Sequence, residues 1–249
     1  MDAVPGNILG EVWDRALSTQ PAPPGWVIAA TAVLAAFLVW APGAWPVTRH
    51  VVTIAHEAAH GFAALLSGRR LHGIRLHSDT SGLTLSAGRP TGLGMIITTA
   101  AGYVGPGLLG LGAAALLTHH RAVGLLWALL ILLTLLLVQV RNWFGLWSVL
   151  VSAAVVLGVS WWLHPQIQSA FAYALTWFLL LAAPRPVLEL QAHRRNARAD
   201  HQGTHPQRSD ADQLARLTRV PAFVWVGFFL VVTVGALALG ARWMVAAAA

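Results

Sequence analysis

The sequence contains no cysteine and no lysine, and only nine of its 249 residues are acidic. The absence of cysteine excludes disulfide bonds, thiolate zinc sites and cysteine nucleophiles, so any bound metal must use histidine, carboxylate or water ligands. All 16 basic residues are arginine. Charged residues make up 10% of the chain and hydrophobic residues 57%, a balance that is typical of a polytopic membrane protein and not of a soluble domain.

Apolar runs separated by proline, glycine and polar residues divide the chain into about seven predicted membrane helices. We therefore predict an all-α polytopic membrane protein with a single membrane domain over residues 25–241, preceded by a cytoplasmic N-terminal segment over residues 1–24. The polar, arginine-rich residues 184–219 are expected to form a cytoplasmic loop. The predicted spans cover residues 26–44, 47–67, 91–118, 122–140, 143–163, 167–183 and 220–241.

The arginines are distributed unevenly among the predicted loops. With seven spans and a cytoplasmic N-terminus, 13 of them fall on the cytoplasmic side, whereas Arg49, Arg121 and Arg242 fall outside. This asymmetry follows the positive-inside rule and favours the cytoplasmic N-terminus. It also explains the net charge of +7 by membrane topology, so we predict a lipid bilayer around the spans and no nucleic-acid partner.

Residues 69–89, between the second and third predicted spans, follow a different pattern. Residues 71–77 and 83–86 alternate loosely between apolar and polar side chains, and the turn-forming residues 78–82 separate them. This pattern predicts a small cytoplasmic β-hairpin, and a polar loop is the alternative interpretation. A hairpin at this position can offer a strand edge to an extended peptide.

The second predicted span contains the stretch His56-Glu57-Ala58-Ala59-His60. Histidines at positions i and i+4 lie one turn apart on one helix face, so both imidazoles can bind a single metal ion. Glu57 lies beside the pair and can accept a proton from an activated water molecule. It is also the one acidic residue inside a predicted span, where an ionisable side chain is costly unless it is paired or functional. A pair of hydrogen-bonded core histidines is the alternative.

Two histidines leave a catalytic zinc site one protein ligand short, because such sites usually have three protein ligands and an open position. Asp210 is the favoured third ligand and Asp212 the second choice, because residues 209–215 have the pattern of a helix N-terminus that can be held at the membrane surface. Helix capping is the alternative role for both aspartates. The other candidates on the predicted cytoplasmic side are His72, His77, Asp79, Glu189, His193, His201 and His205.

The chain resembles the site-2 protease family of intramembrane zinc metallopeptidases, and within it a compact bacterial peptidase-like branch. The matching stretches are residues 56–61, residues 67–68 with the hairpin after them, and residues 101–106, 141–145 and 209–215. The resemblance implies that His56 and His60 bind Zn²⁺ and that Glu57 is the general base. It also implies a location in a bacterial inner membrane.

An intramembrane zinc metalloprotease that cleaves membrane-protein or peptide substrates is the activity that the resemblance implies. One feature departs from the family pattern: the Asp-Gly pair that supplies a zinc ligand from a later membrane helix is absent, and Asn142 is the polar amide in a comparable setting. A catalytically degenerate, protease-like binding scaffold is therefore the alternative function. A metal transporter is less favoured, because the sequence has no internal repeat and Glu57 stands alone in its spans.

Overall fold

A computed structural model describes residues 8–199 and 209–246 of the protein. It is built mainly of α-helices, and a two-stranded antiparallel sheet follows the helix that carries the histidine motif, so the predicted helical membrane architecture and the predicted hairpin strands are confirmed. The elements in chain order are α1 (Ile8–Leu17), α2 (Gly25–Trp40), α3 (Trp45–Leu66), β1 (Arg70–Leu76), β2 (Gly82–Ala87), α4 (Leu93–Thr118), α5 (Ala122–Gln139), α6 (Trp143–Trp162), α7 (Pro165–Ala182), α8 (Pro184–Ala199), α9 (Asp210–Thr218) and α10 (Ala222–Ala246).

Within the described ranges, five helices are long and apolar enough to cross a membrane: α4, α5, α6, α10 and the long helix Pro165–Arg195 that α7 and α8 form together. Helices α2 and α3 meet this criterion only as a pair, and they are bent by 99° relative to each other. The bend occurs where Pro42 and Gly43 interrupt the helix and Pro46 occupies the first turn of α3. Proline fits the first turn of a helix but removes a backbone hydrogen bond from a helix interior, so these residues favour a break at this position.

The N-terminal segment lies at the turn between α4 and α5. The backbone N–H of Gln20 donates to the carbonyl of His120 (2.9 Å), and the side-chain oxygen of Gln20 accepts from the backbone N–H of Val123 (3.1 Å). The hairpin lies at the other end of α4, a helix of 26 residues and about 39 Å in length. The N-terminal segment and the hairpin therefore lie at opposite ends of α4, and α2 with α3 is a candidate for one bent crossing.

The predicted count of about seven spans is not confirmed. Helices α2 and α3, which correspond to the predicted spans 26–44 and 47–67, qualify only as one bent pair, so the described residues hold five or six candidate spans. The sides of the membrane on which the N-terminal segment and the hairpin lie stay predictions, and the contacts of the two segments are at opposite ends of α4. Hydropathy reports the length of an apolar run and carries no information on the angle between two successive runs.

The absence of cysteine makes this topology directly testable. Thr19 lies beside the α4–α5 turn and Asp79 in the hairpin turn, and both are exposed. The single-cysteine variants Thr19→Cys and Asp79→Cys should react with a membrane-impermeant maleimide from opposite sides of the membrane. His119→Cys, in the exposed α4–α5 turn, is the control and should be labelled from the same side as Thr19→Cys. Labelling of Thr19→Cys and Asp79→Cys from one side would contradict a single crossing by α2 and α3.

The hairpin is fixed against the α5–α6 turn. Strand β1 pairs with β2 in antiparallel register, with Ile74 opposite Thr84. On the other edge of β1, the backbone N–H of Arg141 donates to the carbonyl of Ile74 (2.9 Å). The Asn142 side chain accepts from the backbone N–H of Leu76 (3.1 Å) and donates to its carbonyl (2.6 Å). One edge of the sheet is thereby closed, and the outer edge of β2 is the free one in the described part of the chain.

Residues 184–219, which were predicted to be a polar loop, are helical over α8 and α9. Helix α8 continues the direction of α7, and α9 packs against both α4 and α10. Apolar side chains spaced among the arginines form a buried cluster with α10, which the arginine-rich composition did not predict. The members of this cluster from α8 and α9 are Val187, Leu190, Ala211 and Leu214. The cluster holds the start of α9 against α4 and α10.

Candidate metal centre

His56 and His60 project from one face of α3, as their spacing predicts. Their Nε2 atoms are 3.0 Å apart, and their ring planes are almost perpendicular, at 82°. The Nδ1 atom of His60 lies 2.7 Å from the carbonyl oxygen of Thr98 in α4. A proton on Nδ1 that is donated to this carbonyl leaves the Nε2 lone pair of His60 directed at the space shared with His56.

Asp210, the first residue of α9, reaches the same space. Its Oδ2 atom lies 3.3 Å from Nε2 of His56 and 3.3 Å from Nε2 of His60. Helix α9 is held there by Ala211 and Leu214, whose side chains are fully buried against α8 and α10. The packing of α9 therefore brings together three ligand atoms that are distant in the sequence.

The residues around Asp210 fix where α9 begins. The Ser209 hydroxyl accepts a hydrogen bond from the backbone N–H of Asp212, and the Asp212 carboxylate accepts one from the backbone N–H of Ser209. This reciprocal pair is a capping box, which satisfies two backbone donors at a helix start. Arg194 of α8 also forms an ion pair with Asp212. Asp212, the second-choice ligand, is thus engaged in the cap, and Asp210 is the aspartate that faces the histidines.

The arrangement fits a tetrahedral zinc ion. Zinc–ligand distances of about 2.0–2.1 Å put the ligand atoms of a tetrahedral site about 3.3 Å apart, and the three observed separations are 3.0, 3.3 and 3.3 Å. Two imidazoles and one carboxylate also form a donor set that catalytic zinc sites use. Burial raises the pKa of Asp210, but the adjacent His60 and His56 outweigh burial and hold that pKa well below its usual range.

Helix α4 places glycines directly against the motif. A Cβ atom at Gly102 would come within 2.6 Å of Nε2 of His56 and closer still to Nε2 of His60, so no side chain fits while the rings keep their positions. One turn farther along α4, a Cβ atom at Gly105 would overlap Ala59. The two glycines let α4 approach α3 closely enough to form one wall of the site.

Replacement of Gly102 by alanine should disrupt this centre. The added methyl group must displace at least one imidazole, and we expect zinc affinity to fall by at least about 10-fold, the lower end of what a loss of ligand orientation costs. Gly112→Ala is a matched control in the same helix, because a Cβ atom there meets open space. Competition with a fluorescent chelator would measure both affinities. Equal losses in the two variants would contradict the placement of Gly102 against the rings.

Glu57 is almost fully buried, at 5% exposure, and its carboxyl group lies between α3 and β2. Thr84 of β2 places its hydroxyl 2.6 Å from Oε2 of Glu57 and 3.0 Å from the Glu57 backbone carbonyl oxygen. A Cβ atom at Gly82 would lie 2.5 Å from both Cγ and Oε1 of Glu57. The hairpin turn is anchored to α3 by a second bond, from the Thr53 hydroxyl to the Thr80 carbonyl (3.0 Å). The start of β2 therefore packs directly on the Glu57 carboxyl group.

The other predicted ligands do not reach this space. Among the described residues, histidine and acidic side chains with metal-ligand spacing form one cluster: His56, His60 and Asp210. The candidates outside that cluster are His72, His77, Asp79, Glu189, His193 and Asp212. Glu189 instead forms ion pairs with Arg49 (3.2 Å) and Arg185 (3.1 Å). His201 and His205 lie outside the described residues.

The sequence did not reveal the roles of four residues around the motif. Gly102 and Asn142 lie in stretches that stand out by family resemblance, but nothing in their pattern indicates a contact with the imidazoles or a bond to β1. The ring of Tyr103 packs edge-on against the ring of His56, with the two centroids 4.9 Å apart. Tyr103 is one of only two tyrosines in the chain, and this low count is the only feature of the sequence that distinguishes it. The sequence does not predict the contact of Thr84 with Glu57, because threonine is common in β-strands whatever its contacts.

Comparison with known protein families gives one result. A family model described as Peptidase M50B-like matches residues 29–240, from α2 to near the end of α10. The matched range includes the histidine motif, the hairpin and Asp210. Neither a search of curated proteins nor a search of solved structures finds a match.

Proposed function

Because the chain belongs to the Peptidase M50B-like family, which is the site-2 protease family of intramembrane metallopeptidases, we propose that it is an intramembrane zinc metalloprotease. Its proposed substrates are membrane-embedded proteins or peptides. The proposed zinc ligands are His56, His60 and Asp210, and Glu57 is the proposed general base.

One observation supports this function above all others. Three ligand atoms from α3 and α9 lie 3.0–3.3 Å from one another, and Glu57 follows the first of them in the same helix. The side chains of His56, His60 and Asp210 are 20%, 11% and 23% exposed, so the site is neither sealed nor open to bulk solvent. A core histidine pair that served packing alone would not need a carboxylate from a distant helix at this separation.

The chain's own residues account for proton transfer in the proposed reaction. A bound zinc ion supplies Lewis acidity, which polarises a peptide carbonyl and brings the pKa of water toward neutrality. Glu57 accepts the proton of the attacking water and delivers it to the leaving amine. Thr98 holds the His60 ring in the tautomer that presents Nε2. Burial of Glu57 excludes bulk water from the proton transfer.

The substrate must present an extended segment, because the carbonyl groups of an intact helix are occupied by hydrogen bonds. The outer edge of β2 offers free backbone groups to such a segment. Arg141 and Asn142 occupy the opposite edge of the sheet, so β2 is the strand proposed to pair with substrate. Since Thr84 of β2 contacts Glu57, a segment paired with β2 would lie beside the general base.

The proposed location is a bacterial inner membrane with the hairpin on the cytoplasmic side. Eleven arginines belong to the hairpin region, the α5–α6 turn, α8 or α9 with its C-cap, which lie at the hairpin end of α4, whereas Arg15, Arg121 and Arg242 belong to the opposite end and Arg208 lies outside the described residues. The remaining arginine, Arg49, is paired with Glu189. The positive-inside rule then supports a cytoplasmic hairpin and an N-terminal segment on the outer side.

Zinc analysis combined with a cleavage assay tests the proposal. The purified protein in lipid nanodiscs should hold one zinc ion per chain and should cleave a model single-span substrate. A zinc chelator should abolish cleavage, and added zinc should restore it. Stoichiometric zinc without cleavage of any member of a substrate library would favour the alternative function, a degenerate protease-like scaffold. Cleavage that persists after complete removal of zinc would contradict the metalloprotease mechanism.

A further inference from the structure

We propose that Thr84 is a positioning residue for Glu57, and that the hairpin therefore takes part in the proton transfer as well as in any binding of substrate. This inference rests on the proposed function, because it concerns how the proposed general base is held. Nothing in the histidine motif requires a partner for Glu57 from another element. The partner comes from β2, which lies 27 residues farther along the chain.

The Thr84 hydroxyl lies between two oxygen atoms of the same residue. Its Oγ1 atom is 2.6 Å from Oε2 of Glu57 and 3.0 Å from the Glu57 backbone carbonyl oxygen. A hydroxyl group has one proton to donate and two lone pairs to accept with. Thr84 can therefore donate to only one of the two oxygens at a time, and the shorter separation is typical of a charge-assisted bond to a carboxylate.

This geometry supports Glu57 in both of the states that catalysis requires. While Glu57 is a carboxylate, the Thr84 hydroxyl donates to Oε2. When Oε1 of Glu57 holds the proton taken from water, Oε2 is the carbonyl oxygen of the acid and still accepts from the same hydroxyl. The proton moves from water to Oε1 of Glu57 and on to the leaving amine, while Thr84 keeps its own proton and its bond to Oε2. The carboxyl group thus keeps one orientation through both transfers.

The other carboxyl oxygen is left for the reaction. No group in the described ranges forms a hydrogen bond with Oε1 of Glu57, which lies against Gly82. A Cβ atom at Gly82 would come to 2.5 Å from Oε1, so glycine is required there for the carboxyl group to fit. With Oε2 engaged by Thr84 and Oε1 free, Glu57 presents a single defined oxygen for accepting a proton.

The position of Thr84 is itself well determined. Its partner across the sheet is Ile74, which is 1% exposed and packs in a cluster with α3, α5 and α6. Arg141 binds the Ile74 carbonyl from the other side, so β1 cannot shift without loss of that bond. A shift of one residue in the strand pairing would turn Thr84 away from Glu57. The bond from Arg141 and the burial of Ile74 hold β1 in place, and the pairing of β1 with β2 therefore fixes the distance between the Thr84 hydroxyl and the Glu57 carboxyl group.

Thr84→Val tests the proposal, because valine keeps the shape of threonine and removes the hydroxyl. We expect kcat to fall by about 10- to 100-fold, as for the loss of other orienting partners, while KM changes by less than about twofold because substrate binding is retained. Thr84→Ser restores a hydroxyl and should recover most of kcat. Thr53→Val is the matched control: it removes the other hydroxyl bond between α3 and the hairpin, which ends on Thr80 and not on Glu57, and it should leave kcat near the wild-type value.

A second measurement does not depend on activity. The chain has only three glutamates, Glu11, Glu57 and Glu189, so protein grown with ¹³C-carboxyl glutamate gives few labelled infrared bands, and Glu57→Gln identifies the one from Glu57. Thr84→Val should shift this band, since the carboxylate loses a hydrogen-bond donor. Thr53→Val should not shift it. Zinc content should equal that of the wild type in every variant.

The possible results separate the two proposals. A Thr84→Val protein with wild-type kcat and an unshifted Glu57 band overturns the role of Thr84, even if the wild type is an active protease. A wild-type protein that cleaves nothing overturns the proposed function, and the infrared band then still decides whether Thr84 holds Glu57. A loss of kcat in Thr53→Val equal to that in Thr84→Val assigns the effect to hairpin anchoring and overturns the specific role of Thr84.

Discussion

Glu57→Gln should retain one zinc ion per chain and lose at least about 100-fold in the rate of peptide cleavage, the lower end of the contribution of general acid–base catalysis. Glutamine has the shape of glutamate and can keep the contact with Thr84, but its amide cannot accept a proton at neutral pH. The ligand atoms of His56, His60 and Asp210 are untouched by the change. Metal analysis and single-turnover cleavage on the same preparation would measure both quantities.

The control for this substitution is Asp79→Asn, which makes the same carboxylate-to-amide change in the exposed hairpin turn. Hydrogen bonds from Ser81 hold the pKa of the Asp79 carboxyl below its usual value, and Asp79 is not a member of the cluster of possible metal ligands in the described part of the chain. Cleavage by Asp79→Asn should therefore match the wild type. A Glu57→Gln protein that cleaves at the wild-type rate would rule out Glu57 as the base. One that loses zinc would show that Glu57 supports the ligands.

The local part of the site could be predicted from sequence because it depends on helix geometry alone. His56 and His60 are one turn apart in any α-helix, and Glu57 follows directly. The structure brings Asp210 to the same space, whereas the sequence favoured it among nine candidates only because residues 209–215 have the pattern of a helix start. The choice depends on the packing of α9 on α8 and α10, through residues such as Leu214. Burial of a short helix in a polar stretch is a tertiary effect that local patterns do not determine.

The number of membrane crossings could not be derived from the sequence for a related reason. The apolar runs on either side of Pro42 are each long enough to suggest a span, and hydropathy treats them as independent. In the structure, α2 packs along α7, whereas α3 packs along α4, and the two helices are bent by 99°. The bend is maintained by contacts distant in sequence, including the bond from the Trp45 indole N–H to the Glu189 carboxylate (2.8 Å). The sequence pattern therefore predicted the position of the break between α2 and α3 but not the angle between the two helices.

The cost of a carboxylate within a membrane protein explains why Glu57 needs its surroundings. An ionisable group at membrane depth is retained where it is paired or lines a functional cavity. Thr84 supplies a hydrogen bond, Gly82 supplies space, and Asn142 and Arg141 fix the strand from which these residues act. The hairpin, the α5–α6 turn and the histidine motif are therefore connected by direct contacts, although they are separate in sequence.

Asp210→Ala should lower zinc affinity by more than about 100-fold, beyond the range for loss of an outer-shell partner, because it removes one of the three proposed protein ligands. Cleavage at ordinary zinc concentrations should be lost with it. His56 and His60 come from adjacent turns of one helix and can still hold a metal ion weakly, so excess zinc should restore some binding. Competition with chelators of graded affinity would measure the change.

Asp212→Ala is the matched comparison, two residues away in the same helix. Asp212 binds Ser209 and Arg194 and makes no contact with the histidines, so its loss should cost about 1 kcal/mol of stability as a lost helix cap. Its zinc affinity should fall by less than about 10-fold, because Ala211 and Leu214 still hold α9 in place. Equal affinities in the two variants would show that Asp210 is not a ligand. A larger loss of zinc affinity in Asp212→Ala than in Asp210→Ala would show that the third metal contact depends on the helix cap or on Asp212 itself.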